Sequence, residues 1–312
     1  MVADKSVVFI AGPTAGGKSA LALALAEAVD GVIINADSMQ LYAGLPILSA
    51  QPDAADLGRA PHRLYGVIDP ADACSAARWR DLALAAIETA WAGGKMPLLV
   101  GGTGLYFRVL EHGIARMPDI PPSTRQAARA LLAAEGPAAL HRRLAAVDPD
   151  SAARLAPGDS QRLVRAWEVW QATATPLSHW QRQKAEGGLA ARADVALHRF
   201  MLARPRAEIY ARIERRLLAM IEQGARDEVA RLLARGLDPD LPAMKALGVR
   251  PLAAHLAGDL DLEAAIGLAQ RDSRRYAKRQ WTWARHQCGD WHWQDAQENV
   301  PFNLNNFLEI IL

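Results

Sequence analysis

The sequence predicts an α/β protein whose P-loop NTPase-like parallel sheet is interrupted by a helical insertion. Short apolar runs alternate with Ala/Leu-rich helical stretches over the first hundred residues, and a glycine-rich turn joins the first run to the first helix. From about residue 116 onward, helical periodicity alone continues for some eighty residues. Alternating elements of this kind build a parallel sheet, whose ligands bind beyond the carboxyl ends of the strands.

The individual elements are predicted from apolar runs and capping residues. Residues 7–11 form a continuous apolar run, which is typical of a strand buried on both faces. Residues 32–36 and 96–100 predict two further strands, and a helix is expected over residues 18–29. Ser75 is a suitable N-cap for another helix, which a pair of glycines ends.

Three segments are expected along the 312 residues. Residues 1–115 are predicted to form the N-terminal part of the P-loop core, and residues 116–197 a helical insertion domain. Residues 198–312 are predicted to complete the core, starting with a strand over 199–203, and to end in basic helices.

The composition excludes several classes of protein. No stretch of eighteen apolar residues lacks charges, so no membrane-spanning segment or membrane partner is expected. The N-terminus has the wrong flanks for a secretory signal peptide. The two cysteines, Cys74 and Cys288, lie far apart in sequence and argue against a disulfide framework. A cytoplasmic location and a monomer are therefore expected.

A phosphate-binding motif follows the first predicted strand and opens the first predicted helix, which is the context that G-x-x-x-x-G-K-[ST] requires. Its glycines let backbone N–H groups converge on phosphate oxygens, and the helix N-terminus adds positive charge. Lys18 supplies a full charge, and the Ser19 hydroxyl is placed to bind Mg²⁺. The motif predicts a diphosphate site formed by Gly12, Pro13, Thr14, Ala15, Gly16, Gly17, Lys18 and Ser19.

An aspartate stands in an unusual place for a P-loop protein. In a P-loop NTPase a second strand ends in an aspartate that supports Mg²⁺, but the candidate strand here runs into Gly101 and Gly102. Asp37 instead follows the strand over 32–36 and is expected at the same sheet edge as the P-loop. It is either a carboxylate facing the bound diphosphate or a turn or N-cap aspartate.

The C-terminal region has a strongly basic run against a net charge of only +2 for the whole chain. This run indicates a polyanionic partner, and a solvated basic helix surface is the alternative. Trp281 and Trp283 lie within it and either stack on bases or pack in the core. The basic residues are Arg271, Arg274, Arg275, Lys278, Arg279 and Arg285, with Asp272 as the only acidic residue among them.

Taken together, the motifs resemble those of bacterial tRNA dimethylallyltransferases, also called tRNA isopentenyltransferases. The resemblance covers essentially the whole chain. Gln51 stands where the family usually has lysine before a proline, and Val249 where it commonly has tyrosine, so contacts from those positions are in doubt. The matching segments are 12–19, 37–42, 60–64, 101–106, 159–165 and 278–285.

The resemblance implies a reaction and roles for several residues. The family transfers a dimethylallyl group from dimethylallyl diphosphate to N6 of the adenosine beside the anticodon, in tRNAs that read codons starting with U, and releases diphosphate with Mg²⁺ as cofactor. The P-loop would then hold an allylic diphosphate rather than ATP. Asp37 would act as general base, Arg212 would reach the diphosphate, and Thr103 would contact the target nucleotide at the catalytic centre.

The resemblance also implies a set of tRNA contacts, with the anticodon stem-loop as the partner. The segment from Asp37 to Gln40 would line the place where nucleotide and diphosphate meet. The implied tRNA-binding residues are Asp37, Ser38, Met39, Gln40, Thr103, Arg125, Gln161, Arg162, Leu163, Val164, Arg165, Lys245, Arg250, Arg274, Lys278, Arg279 and Arg285.

Two other functions compete with this interpretation. A P-loop kinase acting on a small molecule or nucleotide would share the phosphate site and Mg²⁺ but would not need the basic C-terminal helix. A non-enzymatic RNA-binding NTPase would explain the basic run but would leave Asp37 without a role.

Overall fold

The computed structural model describes residues 5–115, 117–183, 185–296 and 302–312. The chain divides into two compact units, one formed by Met1–Glu111 with Leu189–Leu312 and the other by His112–Gly188. Residue 116, at which the insertion is expected to begin, lies outside the described residues.

The first unit is built on a parallel sheet, as the sequence predicts. All strand pairs in the sheet are parallel, and the strand order is β3-β2-β4-β1-β5-β6. The six strands of the described residues are β1 (Lys5–Ala11), β2 (Gly31–Asn35), β3 (His62–Arg63), β4 (Met96–Gly101), β5 (Val195–Ala203) and β6 (His292–Asp295).

The helices connect these strands and also form the whole second unit. Those of the described residues are α1 (Lys18–Ala28), α2 (Ala54–Arg59), α3 (Ala76–Ala92), α4 (Gly104–His112), α5 (Pro122–Val147), α6 (Pro149–Arg154), α7 (Ser160–Thr173), α8 (Leu177–Arg182), α9 (Arg206–Glu222), α10 (Ala225–Leu233), α11 (Val249–Leu256), α12 (Leu262–Gln287) and α13 (Asn305–Ile311). Short 3₁₀ turns occur at Leu189–Ala191 and Ala243–Lys245.

The centre of the sheet explains why the first strand is the clearest in the sequence. β1 lies between β4 and β5, with Val8 opposite both Leu98 and His198. Val7 and Phe9 are fully buried, because helices cover both faces of an open parallel sheet. The carboxyl ends of β1, β2 and β4 therefore lie at one edge, where their following turns meet.

Local signals account for most helix boundaries. The Ser75 hydroxyl accepts a hydrogen bond from the Arg78 amide at 3.1 Å, so this residue is the N-cap that the sequence predicts. The stretch after β5 breaks into α9 and α10 at Gly224, which has a φ of 103°. β5 begins at Val195, so residues 195–197, expected in the insertion, pair with β1. They are only half-buried, and the polar His198 and Arg199 separate them from the apolar end of the strand.

The second unit is helical and has its own core. Its helices α5 to α8 surround a cluster of buried side chains that includes Leu140, Leu144 and Trp167. α5 is interrupted at Gly136, which has a φ of 78° and is followed by a proline. Throughout the described ranges, every helix is either too short or too polar to cross a bilayer.

Candidate active site

The P-loop joins β1 to α1 in a tightly wound conformation. Gly17 is the N-cap of α1 with a φ of 93°, and Ala15 also has a positive φ of 61°. A Cβ atom on Gly16 would lie 2.8 Å from the Pro13 carbonyl, which real Cβ atoms do not approach so closely. The glycines of the motif are therefore required by backbone geometry as well as by phosphate access.

Lys18 points back over this loop. Its ammonium donates to the carbonyls of Gly12 at 3.0 Å and Pro13 at 2.8 Å. Burial lowers the pKa of Lys18 to about 8, and the nearby Arg216 lowers it further, while Asp37 opposes the shift. A lysine with this pKa is mostly protonated at neutral pH and loses its charge as the pH rises through about 8.

Asp37 is held rigidly just after β2. Its amide donates to the Asn35 side-chain oxygen at 2.7 Å, and the Asn35 side-chain nitrogen donates to its carbonyl at 2.9 Å. One carboxylate oxygen accepts from the Met39 amide at 3.0 Å. Asp37 thus serves as a turn residue, and its carboxylate also faces the P-loop cavity.

A cavity of about 400 Å³, which we call the reaction cavity, opens beside the P-loop. Its walls are formed by the segments that follow β1, β2 and β3, by the carboxyl end of β4 and by two helices, α1 and α9, as expected at the carboxyl edge of a parallel sheet. Its lining residues are Thr14, Ala15, Gly16, Gly17, Lys18, Ser19, Ala20, Asp37, Gln40, Ser49, Ala50, Tyr65, Val100, Gly101, Arg212 and Arg216.

Two arginines on successive turns of α9 reach the reaction cavity. Arg216 donates to the Thr14 hydroxyl at 2.7 Å, and its pKa is lowered by burial. Arg212 lies 2.9 Å from a carboxylate oxygen of Glu208, one turn earlier. Sequence reasoning found Arg212 but missed Arg216, although the spacing of four residues places both on one helix face.

Thr103 lies against the segment that carries Asp37. Its hydroxyl accepts from the Ser38 amide at 2.9 Å and donates to the Ser38 hydroxyl at 3.3 Å. Its own amide donates to the Ala36 carbonyl at 3.2 Å. The turn after β4 and the turn after β2 therefore form one hydrogen-bonded unit.

The glycines of the turn after β4 allow other groups to approach closely. A Cβ atom on Gly101 would lie 2.1 Å from the Ala36 carbonyl group, and one on Gly104 would lie 2.2 Å from the Trp283 ring. Trp283 thus packs on the turn. Trp281 meets Trp293 edge-on at 5.7 Å, so both indoles of the basic run have partners within the protein.

A smaller cavity of about 60 Å³, with polar and apolar residues in its lining, adjoins the reaction cavity and shares Thr14, Asp37, Ser49 and Arg216 with it. The shared residues include the carboxylate and the P-loop threonine, so polar chemistry and apolar space meet at Asp37. Its other lining residues are Met39, Leu48, Ile213, Leu217, Met220, Ala246, Leu247, Ser273 and Tyr276.

A more open groove lies on the helical unit, with a volume of about 540 Å³. It is lined by Ser123, Thr124, Ala127, Trp170, Gln171 and Ala174, none of which titrates near neutral pH. The chemistry therefore belongs to the reaction cavity, where a lysine, an aspartate and two arginines converge.

Gln40 and Gln51 hold the loop that closes one side of the reaction cavity. The Gln40 side chain donates to the carbonyls of Ser49 at 3.1 Å and Ala50 at 2.6 Å. Gln51 donates to the Tyr42 carbonyl at 2.9 Å. Gln51, which replaces the family's lysine, is thus engaged in shaping this loop.

The basic run forms much of α12, which has one buried and one exposed face. Small residues such as Ala269, Ala277 and Ala284 lie on the buried face. We call the exposed residues on the opposite side the basic face, which consists of Arg271, Arg275, Lys278, Arg279 and Arg285. Arg274 lies at its border, where it pairs with Glu214 at 2.8 Å.

The other residues expected to bind tRNA in this unit are also at the surface. Lys245 pairs with Asp240 at 2.9 Å, and Arg250 is exposed in the first turn of α11. Their side chains are accessible, but Lys245 would have to exchange an existing ion pair for a phosphate.

In the helical unit, the expected tRNA-binding segment is only partly exposed. Gln161 and Arg162 are exposed at the start of α7, and Arg165 lies 3.5 Å from Glu168. Leu163 and Val164 belong instead to the buried core of this unit, so their side chains do not face solvent. Successive side chains point in different directions around a helix, so these apolar residues face the core of the unit while Gln161 and Arg162 face solvent. Arg125 is exposed on α5.

The donors present are compatible with Mg²⁺. Within the described ranges, His, Cys, Asp and Glu side chains form no group of three or more that could hold a metal by themselves. Mg²⁺ does not require one, because it keeps several waters and binds one or two protein oxygens together with substrate phosphates. The Ser19 hydroxyl and the Asp37 carboxylate line the same cavity and supply oxygens of this type.

Three buried or half-buried residues that support the site escaped sequence reasoning. Arg204 is buried and donates to the Gly16 carbonyl at 3.1 Å, so it stabilises the conformation of the P-loop. Tyr276 lies beside Thr103 and Gln280, and burial raises its pKa. Arg204 and Tyr276 belong to no motif. Gln280 lies within the matching segment 278–285, but no pattern in the sequence shows that it faces the core.

Comparisons with known proteins place the chain among RNA-modifying enzymes. The protein-family model described as IPP transferase matches residues 40–287. A tRNA dimethylallyltransferase of Rhodospirillum centenum is 55% identical over 287 residues, which cover 92% of this chain and 90% of the relative. One from Phenylobacterium zucineum is 54% identical over 288 residues and covers 92% of both chains.

Solved structures agree with the sequence relatives. A full-length tRNA isopentenylpyrophosphate transferase from Bacillus halodurans is 33% identical, covers 98% of this chain and 94% of its own, and has a TM-score of 0.65. A eukaryotic dimethylallyltransferase acting on tRNA is 26% identical, with a TM-score of 0.75 over 94% of this chain and 74% of its own. The chain therefore belongs to the IPP transferase family.

Proposed function

We propose that this chain transfers a dimethylallyl group from dimethylallyl diphosphate to N6 of the adenosine adjacent to the anticodon, in tRNAs that read codons starting with U. The products are N6-(dimethylallyl)adenosine and diphosphate. The observation that carries the proposal is that the Asp37 carboxylate and the P-loop line one cavity, so an acceptor amine and an allylic diphosphate can meet there.

The diphosphate would be bound by the P-loop side of the reaction cavity. The bond from the allylic carbon to the diphosphate oxygen breaks in this step, and negative charge grows on the leaving oxygens. Lys18, Arg212, Arg216 and the amides at the start of α1 lie where they can stabilise that charge. Mg²⁺ bound at the Ser19 hydroxyl would neutralise part of the diphosphate charge.

The amine side of the reaction would depend on Asp37. The lone pair of an adenine amino group is delocalised into the ring, so the amine is a weak nucleophile. As the N6–carbon bond forms, N6 passes a proton to the Asp37 carboxylate, and such general-base help contributes about 10²–10⁴-fold in rate. Thr103, hydrogen-bonded to Ser38, would hold this segment beside the target nucleotide.

The target nucleotide of the RNA would enter through the smaller cavity beside Asp37. An anticodon-loop base is single-stranded and leaves its stack at modest cost, so it is accessible for such a movement. The basic face of α12 and the exposed arginines Arg125 and Arg162 would contact backbone phosphates. We further propose that the protein acts as a monomer in the cytoplasm, in keeping with its two unpaired cysteines.

The competing functions are not favoured. β4 ends at Gly101, so the aspartate that a P-loop NTPase carries after this strand is replaced by a glycine turn. A kinase would not need the basic face, and an RNA-binding NTPase would not need Asp37 in the cavity. The family match argues against both.

One assay separates these functions. Radiolabelled dimethylallyl diphosphate is incubated with an unmodified anticodon stem-loop and Mg²⁺, and ATP hydrolysis is measured in parallel. We expect label in the RNA and no RNA-dependent consumption of ATP. ATP consumption without transfer of label to the RNA would overturn the proposal.

A further inference from the structure

Gln280 occupies a position between the two turns that form the reaction cavity. It lies on the buried face of α12 and is only 7% exposed. Its side-chain oxygen accepts from the Thr14 amide at 2.8 Å, and its side-chain nitrogen donates to the Gly102 carbonyl at 2.9 Å. One amide group therefore connects the P-loop to the turn that carries Thr103.

The turn after β4 is shaped around this side chain. A Cβ atom on Gly102 would lie 2.0 Å from the Gln280 side-chain nitrogen, so only glycine leaves room for the hydrogen bond. The next nearest atom to that Cβ, apart from Gln280 itself, is the Gly12 carbonyl oxygen at 3.3 Å. The severe steric conflict thus depends on Gln280, and removing this side chain would leave only the milder contact with the Gly12 carbonyl among these neighbours.

Thr14 is held from two helices at once. Gln280 on α12 fixes its backbone amide, and Arg216 on α9 donates to its hydroxyl. The amide of Thr14 is consequently engaged by protein, and its side chain is directed into the reaction cavity. On the other side, Tyr276 lies beside both Gln280 and Thr103.

We propose that Gln280 is a positioning residue: it sets the distance between the P-loop threonine and the Gly101–Thr103 turn, so that the allylic carbon and the target amine are held in register. This inference rests on the proposed function. Gln280 acts on the reacting groups indirectly, chiefly through Thr14 and Gly102. A displacement of about 1 Å in such a site can cost about 10²-fold in rate.

A double-variant cycle separates positioning from space filling. Gln280→Ala removes both hydrogen bonds, Gly102→Ala introduces the clash, and the double variant removes the clash without restoring the bonds. We expect the double variant to regain most of the thermal stability that Gly102→Ala loses, because its Cβ then has room. We expect kcat of both Gln280→Ala and the double variant to stay about 10- to 100-fold below the parent.

Further measurements keep the outcome specific. The Kd for the anticodon stem-loop should change less than twofold in Gln280→Ala, because the basic face is untouched, so the loss should lie in kcat. Gln287→Ala, on an exposed residue at the end of the same helix, is the matched control and should retain parental kcat.

A double variant with parental kcat would overturn the inference, because Gln280 would then only fill space. If the parent itself transfers no label while binding inorganic diphosphate with Mg²⁺, the proposed function fails instead.

Discussion

The reaction cavity and the basic face of α12 both gather positive charge, but they do so in opposite environments. In the cavity, burial lowers the pKa values of Lys18 and Arg216, and each side chain has specific partners within the protein. On the basic face, Lys278 and Arg279 are exposed to solvent. A buried positive charge in the cavity carries a large desolvation free energy unless an anion is bound, whereas an exposed charge on the helix stays hydrated. The exposed charges also act on a distant anion nearly independently of one another.

This difference predicts how the two regions respond to change. A buried group acts through a few short contacts, so one substitution should alter chemistry steeply and leave RNA affinity alone. An exposed charge acts through long-range attraction to phosphates, so one substitution should weaken RNA binding modestly and leave the chemical step alone.

The largest effect is expected at Asp37. Asp37→Asn keeps an oxygen that can accept from the Met39 amide, so the turn is preserved while the base is removed. We expect kcat in single-turnover transfer to fall by about 10²–10⁴-fold. The Kd for the anticodon stem-loop should be unchanged. Loss of RNA binding with intact chemistry would instead assign Asp37 to structure alone.

A paired glycine test sharpens the contrast in packing. Gly101→Ala would drive a Cβ atom against the Ala36 carbonyl group, and backbone cannot give way as a side chain can. We expect a loss of stability of about 1–3 kcal/mol, measured by denaturant unfolding, together with reduced activity.

The control for that test lies on α12. Gly267 is an exposed helix residue whose Cβ position is open space, so Gly267→Ala should stabilise the protein by about 0.5–1 kcal/mol. An equal loss of unfolding free energy in the two variants would show that the close contact between Gly101 and Ala36 does not contribute to stability.

The pH dependence of diphosphate binding tests the state of Lys18. Because its pKa is lowered to about 8, its ammonium is protonated below that pH and is lost as the pH rises through it. The affinity for inorganic diphosphate at constant Mg²⁺ should therefore fall above about pH 8, by up to about tenfold per pH unit. Calorimetric titration across this range measures the effect.

The matched variant is Lys18→Arg, whose guanidinium stays charged at every accessible pH. Its affinity for diphosphate should lack the decline above about pH 8, whatever its absolute value. A decline of the same steepness in both proteins would assign the titration to another group.

The sequence predicts the fold well where its signal is a continuous apolar run, and less well where it is not. β1 and β4 are buried over most of their length, and the sequence predicts them to within a residue or two of their observed ends. β3 has two residues, and β6 is half-exposed and polar, so neither carries a signal that separates it from a loop. Pairing with a neighbouring strand creates them, and that is a tertiary property.

The same reasoning applies to the candidate site. The P-loop and Asp37 are predictable because they stand at fixed positions relative to strands. Gln280 and Leu163 are not, because their roles depend on which way a helix turns once it has packed. Gln280 lies within a basic run yet faces the core, and Leu163 lies within a segment expected to bind tRNA yet is buried.

The smallest effect is expected on the basic face. Lys278 is exposed, and no partner is found for it among the residues that the structure describes, so Lys278→Ala removes one charge without breaking an ion pair. The slope of log K against log[salt] for stem-loop binding should become less negative by about one unit, with kcat at saturating RNA unchanged. Lys278→Arg keeps the charge and should keep the slope. An unchanged slope in Lys278→Ala would separate α12 from the RNA and leave its exposed charges as ordinary solvated surface, whereas a fall in kcat at saturating RNA would mean that this face shares the steep response of the cavity.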